Sequence, residues 1–206
     1  LRARALAAQG REAELQSHLD EVRVLPRQTY WSYGAALVAA GQEFQAHGSR
    51  QDGEEALQAA ARWLEAELET DPTYRGHRFW LAEAYYSLGA WTEAEDRLRA
   101  LVEDFPERAG YRGLLALATA RVTGDRALAE PHLDPSPQYS QGDQLTFHAR
   151  LAFILGDEDR GLSLLNEAIR SGVDDFSWLH SRGAVDFESI GANAQFVRLM
   201  SPRTDS

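Results

Sequence analysis

The apolar residues of this chain recur three and four positions apart in one segment after another, the spacing of a single buried face on a helix. Leu15, Leu19 and Val22 form one such stripe before Pro26, following a helix tail and a turn at Gly10. Tyr30, Trp31, Gly34, Leu37 and Val38 open a second. From Gly41 to His47 it reads either as a continuation of that helix through Phe44 to Ala46 or as a frayed loop. After a polar turn at 48–53, Ala56, Leu57, Ala60, Trp63, Leu64 and Leu68 give a third stripe, ended by Asp71-Pro72. Between 75 and 108 one unit is complete. Phe79, Leu81, Ala82 and Tyr85 lie on a first helix, Gly89 turns the chain, and Thr92 and Ala94 open a second helix carrying Leu98 and Leu101. Pro106 closes it, because proline lacks the N–H that would continue the helix. Thr92 followed three residues later by Glu95 predicts a capping box. The small residues Ala82 and Ala94 allow the two helices to approach, and Tyr85 and Leu98 fill the space between them.

Leu114, Leu115, Leu117, Ala118 and Val122 start a further helix, and the one after it is interrupted by Pro131, with Pro135 and Pro137 following. A short helix and a loop through Gly142 are expected there. Leu145, Leu151, Ala152 and Ile154 mark the next first helix, and Gly156-Asp157 turns the chain. Leu162, Leu165, Ala168 and Ile169 mark its partner, which ends at Gly172 as a C-cap. The glycines Gly10, Gly41, Gly89, Gly124 and Gly156 recur at nearly one interval, stretched only between Gly41 and Gly89. A helical bundle has no need of such a period; a repeat array does. In the stretched unit both helices are expected to run about one turn longer than in the complete one.

The unit at 75–108 resembles the tetratricopeptide repeat, whose period is about 34 residues. Leu81-Ala82 stands where that family has Leu-Gly, and Tyr85, Gly89, Ala94, Leu101 and Pro106 match further positions; Arg78 takes the usual tryptophan place, beside Phe79 and Trp80. The resemblance implies an all-α fold, an α-solenoid of stacked antiparallel helix pairs forming a single domain over 1–206. Its approximate repeats would lie at 1–26, 28–72, 75–108, 109–137 and 142–172, with a C-terminal cap at 173–200. The end of the chain carries Leu164-Leu165, Ala168-Ile169, Gly172, Phe176, Trp178-Leu179-His180, Asp186-Phe187-Glu188, Ile190, Phe196 and Leu199. It resembles the closing segment of tetratricopeptide regions in bacterial protein kinases, nucleotide cyclases and TolB-like regulators, whose tails read Trp-Leu-His-Arg-Asp-Pro-Asp-Phe. Here a longer insertion, Ser181 to Val185, separates His180 from Asp186. Trp178, Phe187, Ile190, Phe196 and Leu199 are expected to cover the last repeat's apolar face.

Composition narrows the chemistry. All 21 basic residues are arginine, a bias that points to a GC-rich bacterial genome, and the net charge of −11 disfavours nucleic acid as a partner. The absence of cysteine excludes disulfides and thiolate metal ligands. No run of about 18 apolar residues and no signal-peptide core stands in the sequence, so a cytoplasmic location without membrane insertion is expected. The chain opens on Leu1 within a helical pattern, which predicts a piece of a longer protein. The six histidines show no i, i+3 or i, i+4 pairing, so no metal site and no cofactor is expected. Acidic runs such as Glu65, Glu67 and Glu69 read as solvated helix faces, and no nucleophile context supports an enzyme.

The expected work is recognition of a peptide or partner helix in a concave groove lined by the first helices. In the register of the complete unit the inward positions are Phe79, Glu83 and Tyr86, then Gly113 and Leu117, then Thr146, Arg150 and Phe153, with Ser32, Ala36 and Ala39 in the stretched unit. Phe79, Glu83, Tyr86, Leu117, Arg150 and Phe153 are the candidate partner-binding residues, forming an exposed apolar strip with one anion and one cation. The alternative is that their rings pack against neighbouring helices, leaving a structural or self-associating scaffold for an upstream catalytic domain.

Overall fold

A computed structural model of the chain describes residues 2–25, 32–133, 142–173 and 183–201, and these are helical or turn, with no strand among them. They form two compact units, 1–105 and 106–206. Tyr30, Trp31, Pro135, Pro137, Phe176 and Trp178, singled out above, lie outside the described residues.

The first unit consists of three helical hairpins: α1 (Arg2–Ala8) with α2 (Glu12–Arg23), α3 (Tyr33–Ala46) with α4 (Arg50–Thr70), and α5 (Arg75–Ser87) with α6 (Trp91–Asp104). The first helices α1, α3 and α5 pack on one another in series, and α4 packs on α5. The second unit begins with α7 (Ala109–Thr123), a single helical turn α8 (Arg126–Ala129) and a 3-10 turn at Glu130–His132. It continues with the hairpin of α9 (Asp143–Ile154) and α10 (Glu158–Arg170), then the short helices α11 (Ala184–Phe187) and α12 (Ala194–Met200). Pro131 explains the break after α8, since its ring cannot continue an α-helix.

First and second helices differ in how much of their surface is covered. On α7 every residue from Gly113 to Ala120 is buried, whereas α6 buries only Ala94, Glu95, Leu98 and Leu101. A stripe that narrow marks a helix with one face in solvent; a helix apolar all round must be enclosed on all sides. The sequence Leu114-Leu115-Ala116-Leu117-Ala118 has no polar side to give to water.

Glycine sets the helix spacing inside the hairpins. A Cβ on Gly41 would stand 2.9 Å from the carbonyl oxygen of Gly53, and one on Gly53 would stand 2.9 Å from that of Gly41. The backbones of α3 and α4 therefore touch where these two residues cross. This corrects two expectations: Gly41 lies inside α3 and Gly53 inside α4, while the turn is made by Gly48, whose φ of +84° is left-handed. The same geometry decides the open question at 41–47 in favour of a continuous helix.

The stretched unit also differs from expectation. Helix α3 has 14 residues against 13 in α5, but α4 has 21 against 14 in α6. The extension is confined to the second helix and amounts to about two turns. Nor does Thr92 cap α6. That helix starts at Trp91 with Ala90 before it and makes no side-chain cap bond; Glu95 instead accepts from Arg99 Nη2 at 2.8 Å.

The end of the chain closes the last hairpin as the cap reading expects. Phe187, Ile190 and Phe196 join Leu145, Ala149, Phe153, Leu162, Leu165 and Ile169 in one apolar cluster, with Leu199 packed at its edge. The rings of Phe187 and Phe196 lie edge-on to Phe153, with centroids 5.8 and 6.2 Å from it, a favoured arrangement for aromatic quadrupoles.

Candidate functional site

All six candidate groove residues are buried. Relative exposures are 5% for Phe79, 2% for Glu83, 1% for Tyr86, 0% for Leu117, 4% for Arg150 and 3% for Phe153. The expectation of an exposed strip is thereby corrected: the apolar stripe on the inner side of each first helix is covered, because these helices are enclosed on more than one side. Ser32, another inward candidate, caps α3, its Oγ accepting from the Ala35 N–H at 3.4 Å. Gly113 is a point of close approach, since a Cβ there would stand 2.6 Å from ring atoms of Phe147.

In the first unit the inner faces carry a polar chain that the candidate list contained only in part. The Gln42 amide on α3 donates from Nε2 to Glu83 Oε2 and to Ser87 Oγ on α5, both at 3.1 Å, and Gln45 donates to the Ser87 carbonyl at 3.0 Å. On the other side of α3, Glu43 pairs with Arg4 of α1 at 3.0 Å, with both side chains nearly buried. Buried polar groups need partners of defined geometry, so this chain fixes the register of α1, α3 and α5. The visible signal was Gln42-Glu43 interrupting an otherwise apolar helix. Tyr86 packs edge-on to Trp91 with ring centroids 5.2 Å apart.

Histidine serves packing in this unit. The His77 ring stands edge-on to Trp63 at 5.3 Å and to Tyr74 at 4.6 Å, and Trp63 in turn meets Tyr33 at 5.7 Å. Among the described residues no group of three His, Cys, Asp or Glu side chains is placed to hold a metal ion.

In the second unit two of the candidates come together with residues that were not on the list. Arg150, on α9, donates from Nε to Asp186 Oδ2 at 2.7 Å. Arg121, at the end of α7, donates from Nη2 to Asp186 Oδ1 at 2.8 Å and to the Val185 carbonyl at 2.7 Å. Each oxygen of one carboxylate thus receives an arginine from a different first helix. The Asp186 side chain is fully buried and that of Arg150 is 5% exposed, while Arg121 keeps 23%. The Arg150 guanidinium also lies 5.7 Å from the centroid of the Phe147 ring. Beside this clamp opens a cleft of about 470 Å³ bordered by Arg121, Phe153, Ile154, Glu158, Val185 and Glu188. Asp186-Phe187 was legible as part of the closing segment, but nothing in the spacing tied it to Arg121 or Arg150.

The titration of Tyr85 is displaced. Burial, and then the hydrogen bond to Glu65, push the Tyr85 hydroxyl above its ordinary value, against a smaller lowering by Arg97. That bond joins α5 to α4, and the Arg97 guanidinium covers the Tyr85 ring at 5.2 Å. Tyr85 therefore links α5 to α4 of the preceding hairpin, with Arg97 of α6 across its ring, where the expectation placed it between α5 and α6.

The geometry of paired helices with small residues at their crossings agrees with the comparison to known families. Residues 53–118 match the tetratricopeptide repeat. The matched segment begins in α4, contains the whole α5–α6 hairpin and ends in α7. Tetratricopeptide repeats generally mediate protein–protein interaction. No curated protein and no solved structure matches the chain. No helix among the described residues is long and apolar enough to cross a membrane.

Proposed function

We propose that the chain is a non-catalytic protein–protein interaction module within a larger bacterial regulatory protein, and that it takes a peptide or a partner helix on the faces of its first helices. The observation that carries this reading is the tetratricopeptide match over 53–118, coincident with a complete helical hairpin and its neighbours. The chemistry of the two polar clusters agrees with it. Amide–carboxylate and arginine–carboxylate contacts hold charge in place and recognise hydrogen-bonding groups. In this reading Phe79, Glu83, Tyr86 and Leu117 act from inside, setting the spacing and register of the helices that present the surface.

The test is capture of partners on the immobilised chain from its native host, followed by calorimetric titration of each purified partner with the purified chain. Saturable binding at fixed stoichiometry, with a negative heat-capacity change from apolar burial, is the expected result. Recovery of nothing but further copies of the chain would contradict the reading and favour a dimerising scaffold that positions an upstream catalytic domain.

A further inference from the structure

We draw no further inference here: the strongest candidate, the cleft of about 470 Å³ in the second unit between the end of α7, the α9–α10 turn and α11, carries charges of both signs on its border, in Arg121, Glu158 and Glu188, and nothing in the structure shows what covers it.

Discussion

In the unit formed by residues 1–105, the inner faces of α1, α3 and α5 are closed by one another, through the Arg4–Glu43 pair and the Gln42 bonds to Glu83 and Ser87. In the unit formed by residues 106–206, the face of α9 is closed by the short helices α11 and α12 and the turn between them, through Phe187, Ile190, Phe196 and the Asp186 carboxylate. The difference lies in what comes next along the chain. A helical hairpin followed by another hairpin finds its cover in the neighbour's first helix. Among the described residues the α9–α10 hairpin packs instead against the short helices α11 and α12. The first kind of closure is made between long helices; the second is made by two short ones.

Substitutions separate the two closures, beginning with the largest expected effect. Tyr86→Ala and Phe153→Ala each remove a buried ring and are expected to lower stability by about 3–5 kcal/mol in chemical denaturation. In the first case the loss should be accompanied by loosening of α5 and α6. In the second it should be accompanied by early protease cleavage within 183–200, and unchanged protection of that segment in Phe153→Ala would break the comparison. Gly41→Val drives side-chain atoms into the Leu57 side chain and the carbonyl of Gly53, and a loss of about 3 kcal/mol is expected from overpacking against a backbone that cannot yield. Glu83→Ala leaves the buried Gln42 amide without one of its acceptors, and about 1–3 kcal/mol should follow. Asn193→Ala removes the cap that accepts from the N–H groups of Gln195 and Phe196, for about 1 kcal/mol confined to α12 and readable by amide exchange.

The smallest effect is a pH dependence. The folded state holds the Tyr85 proton more firmly than the unfolded chain, whose tyrosine has the ordinary value of 10.0. Its contribution is therefore complete below that value and is lost as pH rises through the higher folded value. Tyr85→Phe should remove this loss. Urea midpoints of the two proteins should converge as the pH is raised above about 10, the unaltered chain falling more steeply.

Helix positions were legible in the sequence because the three-and-four spacing of apolar residues survives any arrangement of the helices in space. Phe187, Ile190 and Phe196 were legible as a cover for the same reason that Leu165 was legible as core: large apolar side chains have to go somewhere dry. Three things were not legible. Burial of the first helices around most of their circumference depends on neighbours that periodicity does not describe, so the sequence left open whether Phe79, Tyr86 and Phe153 line a groove or pack against neighbouring helices, and the structure has them packed. The role of Gly41 depends on what crosses it; within its own segment a glycine at the crossing of two helices and a glycine at a turn look alike. The convergence of Arg121 and Arg150 on Asp186 joins residues far apart in the chain, and arginines at those positions carry no mark that distinguishes a buried clamp from a solvated face.

The claim that the second unit is closed by an attached segment held at one carboxylate is tested most directly by a double-mutant cycle on Arg150 and Asp186. Stability would be measured by urea denaturation for the unaltered chain, Arg150→Gln, Asp186→Asn and the pair together. A coupling energy of about 2 kcal/mol or more is predicted for a buried, hydrogen-bonded charge pair of this geometry. Additive losses, with coupling close to zero, would contradict the account and leave the segment held by its aromatic residues alone.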